Sequence, residues 1–297
     1  MFEKICRMSQ KDLKKFVAKK LKATHNKVIV GDGYVFAQGD FPVLLVAHLD
    51  TVHKELPKEI FYDKQKDAVF SPQGIGGDDR CGVYMIFEVI KQFNCSVLFC
   101  EDEEIGGVGA DKFTRTNIAH ELEFNYMIEF DRKGKNDAVF YDCDNGDFEE
   151  FITDGFYKTA WGSFSDISTL APFFECAAVN LSCGYYNAHT TNEYVVLAEM
   201  EESIKQACRI LAKTTDKDKF EYIEAYYGGT DWDWGGYYGR DKLYLIEWYD
   251  NKTKQDEWIE VEAVSKAEAI GKFCMEHPDI PYNSFYVTEL TQKDWGY

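Results

Sequence analysis

Basic residues are scarce in this chain. Its 297 residues hold 33 Lys and Arg against 52 Asp and Glu, a formal charge of −19. Such a surface repels nucleic acid and anionic lipid unless a local basic patch intervenes, and no Lys/Arg-rich run of that density occurs. Long apolar stretches are missing too, since nothing approaches the roughly 18 residues that a membrane-spanning helix needs. The opening stretch MFEKICRMSQKDLKKF meets charge too early to read as a secretory signal. Only 6 prolines are present, and with 22 glycines this excludes a collagen-like or low-complexity chain. The nine cysteines are odd in number, contain no C-x-x-C pair and sit partly in apolar stretches. That disfavours a thiolate zinc knuckle and points to reduced, buried thiols in a cytoplasmic protein.

Helix and strand patterns are readable along the first two thirds. Ser9 is a good N-cap for a helix over 11–21, with Leu13, Phe16, Val17 and Leu21 as its apolar stripe. KVIVGDGYVFAQG reads as a hairpin turning at Gly31-Asp32-Gly33, and EIFYDKQKDAVFS as a second. PVLLVAHLD, CSVLFCEDEEIGG, NYMIEFDRKG, AVFYDCDNGD and ECAAVNLSCG each place an apolar strand before polar residues. Near-continuous apolar strands are buried on both faces, as in a parallel or mixed sheet covered by helices. VYMIFEVIKQF and the segment 197–212 carry helical periodicity. The expected architecture is therefore α/β, a three-layer α/β/α sandwich with a mixed central sheet and a site at the C-terminal strand edge.

Beyond residue 215 the character changes. Residues 224–240, EAYYGGTDWDWGGYYGR, are rich in glycine and aromatics without strand or helix period. The expected organisation is a domain over 1–215, a Gly/aromatic linker over 216–243, and a small β-β-α-β accessory module over 244–297.

Five short segments concentrate the chemistry. Ala47-His48-Leu49-Asp50 puts a histidine and an aspartate two apart on an extended chain, where they point the same way. Asp50 can then orient one imidazole nitrogen while the other meets a metal. Gly76-Gly77-Asp78-Asp79-Arg80 places adjacent carboxylates whose repulsion calls for a cation; a helix N-cap with an acidic first turn is the plainer alternative. Glu101-Asp102-Glu103-Glu104 follows an apolar strand and precedes two glycines, so one Glu can bind metal and its neighbour stay free as a base. Glu129-Phe130-Asp131-Arg132 and Asn187-Ala188-His189 complete the set. Each alone could be an ordinary strand exit or surface loop. Jointly they offer two imidazoles and three carboxylates at different strand ends, a donor set for zinc or a similar divalent ion.

The order HLD, GGDDR, DEEIG, FD and NAH over roughly residues 40–212 resembles the dinuclear zinc exopeptidases. That superfamily includes leucyl, glutamyl and tetrahedral aminopeptidases, tripeptidases and glutamate carboxypeptidases. The resemblance implies two divalent ions, zinc foremost with Co2+ or Mn2+ as alternatives. It makes His48, Asp78, Glu104, Asp131 and His189 the ligands, Asp78 bridging, and Asp50 the residue that orients His48. Glu103 becomes the general base, taking a proton from a water and returning it to the leaving amine. A cis peptide between Asp78 and Asp79 is implied as well. Gly162-Ser163-Phe164-Ser165-Asp166 resembles a stretch near the family's substrate cleft, where Asp166 could orient a ligand or be a plain turn residue.

Only 29 residues separate His48 from Asp78, and 57 separate Asp131 from His189. Neither gap holds the inserted domain or dimerisation lid of the larger relatives, which favours a monomer. The expected substrate is a short peptide or amino-acid conjugate, with no nucleic acid or membrane as partner. An acid-rich site favours a free substrate ammonium, hence an aminopeptidase, for which Asp102, Asp166 or Glu193 could serve. A carboxypeptidase or N-acyl-amino-acid deacylase would instead use Arg80 or Arg132 to hold a carboxylate. A peptidase fold that only binds is the non-enzyme alternative.

Overall fold

The computed structural model describes residues 1–225 and, beyond them, 242–250, 254–263, 285–289 and residues 269, 270, 272, 273, 277 and 280. It divides into two compact units, Met1–Tyr226 and Tyr227–Tyr297.

The first unit opens with α1 (Phe2–Cys6) and α2 (Gln10–Leu21), then the hairpin β1 (Lys27–Gly31) and β2 (Tyr34–Gln38). β3 (Phe41–His48), β4 (Phe61–Asp63) and β5 (Ala68–Phe70) lead into α3 (Gly77–Val89) and β6 (Cys95–Cys100). After α4 (Val108–Thr114) come β7 (Tyr126–Arg132), β8 (Asp137–Val139), α5 (Gly146–Thr153) and β9 (Lys158–Thr159). α6 (Asp166–Phe174), β10 (Ala178–Ser182), β11 (Tyr185–Tyr186), β12 (Tyr194–Val196) and α7 (Leu197–Lys213) complete it. The Ser9 side chain caps α2 by accepting from the Asp12 amide, and Leu13, Val17 and Leu21 are buried.

The main sheet has the order β1-β2-β6-β3-β7-β10-β8-β9. Its centre, β6-β3-β7-β10, is parallel, while β2 joins β6 and β8 joins β10 antiparallel. Strand alternation splits the core in two. Val43, Leu45 and Ala47 face one apolar cluster with Val83, Ile86, Phe148 and Ala207; Leu44 and Val46 face the other with Phe113, Ile167 and Leu170. Helices thus cover both faces, which is why the central strands carry no polar alternation. The architecture is the expected three-layer α/β sandwich with a mixed sheet.

A second sheet, β11-β12-β5-β4, lies outside the sequence expectation. β4 and β5 pair as the second hairpin should, but β11 and β12 have two and three residues, too short for a period to show. AVFYDCDNGD departs from its expected strand: only Asp137–Val139 is extended, and it runs antiparallel to β10. No described helix is long and apolar enough to cross a membrane. Of the eight described cysteines all are free, and seven are buried.

The first unit continues past position 215, where its end was expected. The Phe220 carbonyl accepts from the Ala177 amide at 2.9 Å, and its ring lies 5.1 Å from that of Phe148. Most of the expected linker, residues 226–241, lies outside the described residues. In the second unit β13 (Lys242–Asp250), β14 (Gln255–Ala263) and β15 (Phe285–Glu289) form an antiparallel sheet ordered β14-β13-β15. Tyr244, Ile246 and Phe273 are buried there, with the Trp248 and Phe273 rings 5.0 Å apart. Of the expected helix between β14 and β15, residues 269, 270, 272 and 273 are helical and much of the rest lies outside the described residues.

Candidate metal centre

Register brings the strand ends to one level. His48 ends β3 opposite Cys100 of β6, and Val46 pairs with Glu129 of β7. Two residues further along β7, Asp131 arrives level with His48. Asp50, the Glu103-Glu104 pair and Asp131 therefore leave the same edge, the crevice where parallel α/β sheets bind ligands. Asp78 enters from α3, whose approach turns through Gly76 at φ +66 and a cis Asp78–Asp79 peptide. His189 comes from the β11–β12 loop, itself at φ +65.

The side chains form two arcs that share Asp78. His48 Nε2 lies 3.1 Å from Asp78 Oδ1 and 3.5 Å from Asp131 Oδ1. His189 Nε2 lies 3.1 Å from Asp78 Oδ2 and 3.0 Å from Glu104 Oε2. Donors around a tetrahedral ion with bonds of about 2.0–2.1 Å stand about 3.3 Å apart. The observed spacings bracket that value, so the donor set fits a small divalent ion. Among the described residues, buried Glu104 Oε1 has no hydrogen-bond partner. His48, Asp78 and Glu104 can also close on a common point, as can His48, Asp79 and Asp131. Asp79 is already engaged, however: it accepts from the Gly82 amide at 2.8 Å and the His48 amide at 3.2 Å.

Electrostatics give the same answer. Burial alone would lower the His48 imidazole, but Asp131, then Asp50 and Asp78, outweigh it and hold it well above its usual value. His189 is raised to about 11 by its hydrogen bonds to Asp78 and Glu104. Burial, then Asp78, lifts Asp131 to about 7, and burial lifts Glu103 well above the carboxylate range, with Asp131 and Asp166 adding to it. Without cations the cluster compensates by holding protons. A divalent ion would take the place of these protons, neutralising the carboxylates and binding the imidazoles in their neutral form.

The surrounding residues fix orientation. Asp50 accepts at 3.2 Å from His48 Nδ1 and at 3.1 Å from each of the Glu103 and Glu104 amides. Against its burial these donors hold the Asp50 carboxyl below its usual value. Glu103 stands apart from the short contacts, its Oε2 3.9 Å from His48 Nε2. Arg80 does not reach the cleft: it is buried, and its guanidinium donates to the carbonyls of Leu49 and, at 3.2 Å, Met8. It ties α3 to the His48 segment and cannot meet a substrate carboxylate. Arg132 lines the cleft and donates to Asp137 at 3.2–3.3 Å.

Asp166 begins α6 rather than a turn; it is fully buried, and burial lifts it to about 6. It does not touch the open cleft. Asp102 accepts from Gln10 Nε2 at 2.9 Å, and Glu193 is buried. None of the three acids offered for a substrate ammonium is thus free to serve.

Sequence reasoning missed the supports behind Asp131. The Asn180 side chain accepts from its amide at 2.8 Å, and the Tyr185 hydroxyl donates to its carbonyl at 3.0 Å. Ser165 Oγ bonds Glu129 and lies 3.3 Å from Asp131 Oδ2. His53 bonds the buried Glu193 at 2.8 Å. The cleft over the two arcs has a volume of about 690 Å³. Its walls include Arg132, Lys133, Tyr141, Phe164 and Tyr186.

No family model matches the chain, and no curated protein sequence does. Among solved structures it is similar to aminopeptidase PepT of Bacillus cereus, with 14% identity, a TM-score of 0.55, and coverage of 71% of this chain and 97% of the other. A Staphylococcus aureus tripeptidase matches with 13% identity, a TM-score of 0.58, and 71% and 95% coverage. An aminopeptidase of the archaeon Desulfurococcus kamchatkensis matches with 14% identity, a TM-score of 0.57, and 73% and 95% coverage. The chain has the fold of these aminopeptidases and tripeptidases, as its HLD, GGDDR, DEEIG, FD and NAH segments led one to expect.

Proposed function

We propose that this protein is a metal-dependent exopeptidase that uses two divalent ions, zinc foremost, to release N-terminal residues from short peptides. The observation that carries this reading is the pair of donor arcs, His48–Asp78–Asp131 and Asp78–Glu104–His189, joined at one carboxylate. Bound there, zinc supplies Lewis acidity to the scissile carbonyl and makes a water acidic at neutral pH. Glu103 is the base: it belongs to neither arc and borders the cleft. It takes a proton from the attacking water and gives one to the leaving amine. Asp50 keeps Nδ1 of His48 occupied, so Nε2 points into the site.

Preference for a free amino terminus draws support from the acid-rich cleft and from neighbours that are themselves aminopeptidases and a tripeptidase. Arg132 and Lys133 in the same cleft favour a second reading, a carboxypeptidase or N-acyl-amino-acid deacylase that grips a carboxylate. The purified protein, loaded with Zn2+, should cleave a free tripeptide and spare its N-acetyl form; the reverse preference establishes the second reading. Glu103→Gln should retain the metal and lose about 10²–10⁴-fold in turnover. Near-normal rates in that variant would overturn the assignment of the base.

A further inference from the structure

We propose that Glu193 is a positioning residue for the metal centre, a carboxylate strut that sets the orientation of Asp78. The inference rests on the reading of Asp78 as the shared ligand. Glu193 is fully buried, and its two oxygens take three donors. Oε1 accepts from the Asp78 amide at 3.0 Å; Oε2 accepts from the Gly76 amide at 2.8 Å and lies 2.8 Å from His53 Nε2. The two amides lie at the start of α3, ahead of any intrahelical partner. A carboxylate is the side chain that can accept all three donors without adding a donor of its own.

Glycines mark how closely the strut is packed. A Cβ on Gly77 would sit 3.3 Å from Glu193 Oε1 and 2.8 Å from both Tyr185 Cβ and Val195 Cγ2. A Cβ on Gly74 would lie 2.2 Å from His53 Cε1. The turn that presents Asp78 is pressed against this wall with no room to shift. The strut also joins three ligand-bearing segments: Glu193 follows His189 by four residues, His53 follows Asp50 by three, and the bonded amides flank Gly77. A movement of the His189 loop therefore pulls on the carboxylate that both arcs share. The competing account is a helix cap that stabilises α3 and nothing more.

Co2+ titration of the metal-free protein, followed by visible absorption, separates the two. The wild type is expected to bind two Co2+. Glu193→Gln puts an NH2 group against an amide N–H or His53 and should weaken Co2+ binding about 10–100-fold, the usual effect of losing a residue behind a ligand. Both ions should be affected, because Asp78 serves both, and the ligand-field spectrum should change. Glu193→Asp keeps the charge and acceptors but retreats by a methylene, and should fall between. His53→Gln leaves both amide bonds in place and should weaken Co2+ binding less than Glu193→Gln does. If Glu193→Gln or, should that variant not fold, Glu193→Asp binds Co2+ with wild-type affinity and spectrum, the proposal is overturned, whatever the melting temperature does. A wild type that takes up no Co2+ would instead bring down the metal-centre reading itself.

Discussion

The two arcs that meet at Asp78 are built differently. His48 ends a strand in the middle of the sheet and is fully buried, with both ring nitrogens engaged and its own amide held by Asp79. His189 sits on a loop with its side chain 55% exposed, held by Asp78 and Glu104. One arc is prepared by the sheet before any ion arrives; the other is completed by a loop. The contrast predicts a tightly held ion on the His48 side and an exchangeable one on the His189 side, since preorganised donors lose less freedom on binding.

Removing the shared residue should erase the difference. Asp78→Ala is expected to abolish both binding steps and reduce hydrolysis to background, as read by calorimetric metal titration and peptide assay. Survival of one tight site would mean that Asp78 belongs to a single arc. Next in size, His48→Ala leaves Asp50, Asp78 and Asp131 without their imidazole, and should cost the metal-free protein about 3–5 kcal/mol in denaturant unfolding. His189→Ala, at a solvent-screened position, should cost under about 1 kcal/mol while losing the second ion and keeping the first. Equal losses from the two histidines would dissolve the comparison.

Acidity sharpens it further. His189 is raised from 6.5 to about 11 in the folded, metal-free state. Its stabilisation is therefore full below pH 6.5 and fades as pH rises toward 11. Asp131, raised from 3.8 to about 7 by burial, has the same sign over its own window. The metal-free protein should accordingly melt lower at pH 9 than at pH 6.5. Metal uptake must displace protons from both imidazoles, so affinity should rise with pH over the same range. A melting temperature that is flat with pH under chelator would count against the raised values.

The parts of the site that could be read from the sequence are those whose chemistry is local. An apolar strand followed at once by His48-Leu49-Asp50 or by four acids carries its meaning in consecutive residues, as does the pairing of Asp78 with Asp79. The supporting residues carry no such mark. Asn180 lies within the run AAVNLS and looks like a polar interruption until β10 is set beside β7, where it meets the Asp131 amide. Ser165 stands at the N-cap of α6, yet it also bonds Glu129. Arg80 looks like a cleft cation beside two acids, and only the packing of α3 under the His48 segment sends it to the Leu49 carbonyl. The sheet was legible through its unbroken apolar strands; β11 and β12, two and three residues long, had no period to read.

The pairing of β3 with β6 and β7 has a kinetic consequence. The two arcs exist only when chain segments starting near positions 41, 77, 95, 126 and 185 have all found their places. Contacts so far apart in sequence form late, because each closes a long loop. On the proposed reading, an ion would find its seat only in a protein already assembled. Adding metal to a refolding mixture should raise the final yield of active protein and leave the rate of refolding unchanged.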